Sequence, residues 1–163
     1  MAVLDIGYGA VDGTSPSGSG SPYTCVDAAN PANGTGSLDV FEAWALINIT
    51  GFNIGTFSGS GSTYNDRDYE IIGNVTAGSK QTFTGKTCDV VTGDYIGDYV
   101  DGGALERFDS GAVNFFYVLG NKFGAGDVTY TLLAGGSQCT YATGTGTGLS
   151  IPVFMNQYRQ RWN

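Results

Sequence analysis

Short apolar runs broken by clusters of Gly, Asn, Asp and Ser set the rhythm of this chain. The most apolar run is Leu38–Ile49. As extended backbone it puts Phe41, Ala43, Ala45, Ile47 and Ile49 on one face, and Leu38, Val40, Trp44 and Leu46 on the other. A strand apolar on both faces is central, or is covered by a partner. A helix over Asp39–Leu46 competes, but β-branched and aromatic residues follow at once and favour a strand. Gly51 is expected to turn the chain into a second strand, Phe52–Phe57, closed by a loop tip at Gly59–Ser62.

The same pattern predicts an edge strand at Met1–Ile6 and further strands at Tyr23–Val26, Asp68–Val75, Gln81–Thr84, Asp89–Val91, Tyr95–Val100, Val113–Leu119, Val128–Leu133 and Gln138–Tyr141. Asp101-Gly102-Gly103 reads as a hairpin turn, with Ala104–Phe108 pairing back on the strand before it. About eight to ten short strands at spacings of about 8–12 residues predict an all-β fold, an antiparallel β-sandwich of jelly-roll-like type. Three parts follow: an N-terminal strand and flexible arm (1–22), the sandwich (23–148) and a C-terminal docking tail or final strand (149–163).

Composition narrows the function. The chain has 163 residues, enough for one domain, and 27 of them are glycine. Its net charge of −8 repels phosphate, so no nucleic-acid partner is expected. No run approaches a membrane helix, and the N-terminus has neither the basic nor the apolar region of a signal peptide. Synthesis in a cytoplasm is therefore expected. Histidine is absent, which removes the usual general base and the triads built on it. Cys25, Cys88 and Cys139 form no CxxC pair, and are expected to be small core residues, with one bridge between two of them as the alternative.

Two constellations could bind something. Asp94, Asp98 and Asp101 surround a glycine-rich turn and offer the oxygens a calcium ion takes; turn capping is the competing reading. Asp66, Asp68 and Glu70 alternate and should share one side of a strand. The tail is the other candidate. It follows the run Thr143–Gly148, is apolar at first, and then turns basic and aromatic. Phe154, Met155, Tyr158, Arg159, Arg161 and Trp162 would fill partner pockets and pair with carboxylates. The seven Lys and Arg include Arg159 and Arg161; all fifteen acidic residues precede the tail. Tyr64, Tyr69, Tyr95 and Tyr99, near turns, suit sugar stacking or protein contact, with core packing as the competing role.

The segments Asn30-Pro31-Ala32-Asn33, Gly36-Ser37-Leu38, Ile72–Phe83, Thr92–Gly97 and Asp109-Ser110-Gly111 together resemble β-rich structural proteins of tailed bacteriophages. The likeness covers roughly Tyr23–Thr147 and rests on turn and strand signatures. It implies a non-catalytic virion protein that decorates and stabilises a capsid. The implied partner is the major capsid protein or another virion protein, and the implied state is a homo-oligomer such as a trimer. A tail or fibre component, or a carbohydrate-binding module assisted by calcium, is the alternative. No catalytic residue is implied.

Overall fold

The computed structural model describes residues 3–17, 22–109 and 114–147. They form an all-β antiparallel structure whose organising element is one long strand, β4 (Gly36–Ser60), of 25 residues. Over Gly36–Trp44 its two edges pair with β6 (Lys80–Val90) and β13 (Thr140–Gly146). Over Ile49–Ser60 they pair with β5 (Thr63–Val75) and β7 (Tyr95–Val100). Between these stretches Ala45–Thr50 meets β8 (Gly102–Phe108).

The strand folds back over itself. Thr56 Oγ1 donates to the Asp89 carbonyl at 2.7 Å, and Asp89 is the register partner of Ser37. On a straight strand Thr56 and Ser37 would stand roughly 60 Å apart, at about 3.3 Å per residue. Register shifts between Leu38 and Val40, between Ala45 and Thr50, and between Ile49 and Asn53 supply the bend. The bend brings Leu38, Phe41, Ala43 and Ala45 into one core with Ile49, Phe52 and Ile54 of the same strand. Leu4, Ile6, Cys88, Val90, Ile96 and Leu105 complete that core.

The main path of the sheet runs β1–β13–β4–β7–β3–β9–β11, with β1 (Val3–Gly7), β3 (Tyr23–Asp27), β9 (Asn114–Leu119) and β11 (Thr131–Ala134). The short strands β2 (Ser15–Pro16) and β12 (Ser137–Gln138) pair with β8, and β10 (Val128–Thr129) with β5. A second, aromatic core lies on the other face of β3, where Val26 meets Phe57, Tyr64 and Tyr130.

Several expectations change here. Gly51 does not end a strand: at φ +62° it takes up a bulge, and β4 runs on to Ser60. The bulge after Leu38 turns that side chain inward beside Phe41, although strict alternation put them on opposite faces. Ile47 is 50% exposed because it sits where the strand bends. Gln81–Thr84 and Asp89–Val90 belong to the single strand β6. Ala104–Phe108 does not pair back on β7. Gly103, at φ +90°, carries the chain onward to pair with β4, β2 and β12. A bulge between Thr56 and Phe57 also splits the acidic triplet: Asp66 lies opposite Phe57, and Asp68 opposite Thr56. The edge position of β1 is as expected.

Candidate functional site

The tail residues Phe154, Met155, Tyr158, Arg159, Arg161 and Trp162 lie outside the described residues. The three turn aspartates stand in different settings. Asp94 is buried and takes both Nε and Nη2 of Arg67, at 2.5 and 3.0 Å, together with the Val91 amide at 2.8 Å. Asp98 points into the protein from the middle of β7. Asp101 is exposed and accepts from the Tyr99 hydroxyl at 2.8 Å. Among the described residues no three Asp, Glu or Cys side chains are gathered as a metal ion would need.

The described structure concentrates its unusual chemistry elsewhere, on the inner face of β7, β3, β9 and β11. Register places Asp98 beside Cys25, Cys25 beside Tyr117, Asp27 beside Phe115, and Phe115 beside Leu133. Alternation then puts Tyr23, Cys25 and Asp27 on this same face. At its inner end the face is covered by β8 and β12. There Asp27 accepts from the Ala29 amide at 2.9 Å and from the Ser137 hydroxyl and Gln138 amide at 2.7 Å each. Burial outweighs these bonds and raises the Asp27 carboxyl to about 6. Burial, and then the neighbouring Asp27 charge, pushes Asp98 well above the usual carboxylate range. Burial and Asp98 together do the same to the Cys25 thiol, which keeps it protonated and inert.

The polar groups here are not all paired. Asp98 Oδ1, Oε1 and Nε2 of the Gln138 side chain and Thr140 Oγ1 are buried without a hydrogen-bonding N or O partner among the described residues. Asp98 lines a cavity of about 10 Å³ with Ser17, Tyr23 and Cys25, room for about one water.

A pocket of about 230 Å³ opens between Pro16, Ser17, Tyr23, Arg107, Phe115, Tyr117 and Leu133. It shares Ser17 and Tyr23 with the inner cavity. Tyr23 and Tyr117 pack edge to face at 5.7 Å, and the Arg107 guanidinium lies 6.0 Å from the Phe115 ring centre. Arg107 Nε donates to Asp109 at 2.7 Å, and Ser15 and Thr14 donate to the same carboxylate. Those bonds hold the guanidinium in place.

Sequence reading did not find this site. The signal was available in Tyr23-Thr24-Cys25-Val26-Asp27, a strand that alternates a half-polar face with an apolar one. Choosing which of fifteen acidic residues is buried needs the pairing of β3 with β7 and β9, and that is set at long range. No protein-family model matches the chain, and no curated protein or solved structure gives a significant match to it.

Proposed function

We propose that the protein is a non-catalytic structural component of a tailed-phage virion that decorates and stabilises the capsid, working as a homo-oligomer. The observation that carries this reading is the exposed apolar character of the sheet's outer strands. At one end Val3 on β1 is 74% exposed; at the other, Leu132 on β11 is 49% and Leu119 on the adjoining β9 is 61% exposed. An outer strand that shows apolar side chains and an unpaired edge suits contact with another chain.

The tail at 149–163 supplies a second attachment element of opposite charge to the acidic body. The likeness of the turn segments to phage structural proteins supports the same reading. The test is co-sedimentation with undecorated capsids, comparing the full chain with a chain ending at Gly148. Truncation there leaves every described strand in place. Saturable binding that is lost on truncation supports the role and assigns attachment to the tail. Saturable binding by both forms supports the role and assigns attachment to the body. Binding by neither form overturns the reading.

A further inference from the structure

We propose that the pocket between Tyr23, Arg107, Phe115, Tyr117 and Leu133 binds a single sugar residue, independently of any capsid attachment. Three features select that ligand class. The first is size: at about 230 Å³ the pocket falls below the about 300–1,000 Å³ typical of drug-sized ligands and suits one ring. The second is the wall. Tyr23, Tyr117 and Leu133 present aromatic and aliphatic surface to one side of an occupant, with the buried Phe115 ring beneath them, which matches the apolar face of a pyranose.

The third feature is the polar complement. Arg107 and Ser17 stand at the pocket as hydrogen-bond donors, and the Ser17 hydroxyl also accepts. Behind them Asp98, with its unpartnered Oδ1, lines the small cavity that shares Ser17 and Tyr23 with the pocket. One water there links an incoming hydroxyl to Asp98. A purely apolar ligand would desolvate Arg107 and Ser17 without offering either a new partner. A bare anion would gain little, because Asp109 already neutralises Arg107. A ring with one apolar face and a rim of hydroxyls satisfies both sets of groups.

The full chain, labelled for amide NMR, is titrated with glucose, galactose, N-acetylglucosamine and glucuronate into the high millimolar range. The expected result is saturable shifts at the amides of Ser17, Tyr23, Arg107 and Tyr117 with at least one of the four. Tyr117→Ala should then raise the Kd by about two- to tenfold, the scale of a lost aromatic contact. Leu133→Trp, at the half-buried rim, should block binding by filling the pocket while the remaining spectrum stays dispersed. The Leu133→Trp chain should co-sediment with capsids like the parent, because Leu133 lies on the opposite face of β11 from the exposed Leu132, so that failure of the sugar site and failure of the decoration role read out separately. No saturable shift with any sugar, or shifts that neither variant alters, would overturn the proposal.

Discussion

Asp27 and Asp98 face a common interior from neighbouring strands, and burial decides how they titrate. The Asp27 carboxyl moves from 3.8 in the unfolded chain to about 6 in the folded one. Between those values the folded chain holds a proton that unfolding releases. Stability is therefore full on the acid side and falls as pH rises through about 6, by up to about 1.4 kcal/mol per pH unit for one proton. Asp98, shifted in the same direction, adds to the fall. Asp109 works the opposite way, since hydrogen bonds from Ser15 and Arg107 lower its carboxyl, and its effect lies at more acid pH. Thermal unfolding from pH 5 to 8 should show Tm declining as pH rises. Asp98→Asn should flatten the decline, because an amide fills the same space without charging. A Tm that climbs from pH 5 to 7 would show that these carboxyls are not buried as described. Arg67→Met asks the reverse question at Asp94, a buried carboxylate that depends on a cation. Its loss should cost about 1–3 kcal/mol in chemical denaturation, the range for stranding a buried polar group.

At the scale of elements, the bent strand β4 does most to define the molecule, and its parts were unequally legible. The run from Leu38 to Ile49 reads as a strand once the β-branched and aromatic residues after it are weighed against a helix, and Phe41, Ala43, Ala45 and Ile49 are all in the core. The irregularities that move Leu38 inward and Ile47 outward carry no local signature: the first lies within the pairing with β6 and β13, the second where β8 takes over between two sets of partners, and both depend on strands distant in sequence. Gly51 was legible as a break but not as a bulge, because φ > 0 serves both. Its conformation gives a prediction: Gly51→Val forces a β-branched residue to φ +62° beside the Asp101 side chain, and should destabilise by about 1–3 kcal/mol. A cost near zero would mean that β4 does not need its bend there. The acidic residues of β5 show a different device. Asp68 accepts from the Asp89 amide at 2.9 Å, and Glu70 from the Thr87 amide at 3.0 Å, so two carboxylates satisfy donors along β6. Carboxylates placed this way blunt an edge against pairing with other chains. The double change Asp68→Ala and Glu70→Ala should lower the concentration at which the protein aggregates, measured by light scattering, more than it lowers Tm.

The whole molecule combines an acidic body with apolar outer strands, and these pull in different directions. A net charge of −8 keeps separate copies apart at low ionic strength. The side chains of Val3, Leu119 and Leu132 gain by being covered, and that gain is insensitive to salt. Added salt shortens the reach of the repulsion, to about 8 Å at physiological strength, and leaves the apolar attraction in place. If the outer strands are contact surfaces, self-association should strengthen as salt rises from low to physiological concentration, whereas an association driven by tail arginines on body carboxylates would weaken. Sedimentation velocity across that range separates the two. Val3→Lys and Leu132→Lys sharpen the test, because each replaces an exposed apolar group by a charge at a position whose folded-state cost should stay within about 0.5 kcal/mol. Loss of the oligomer in either variant, with Tm unchanged, would place the interface on that edge. Oligomers that persist in both variants and dissolve in salt would move it to the tail, where an acidic body and a basic end of the same chain attract one another across copies.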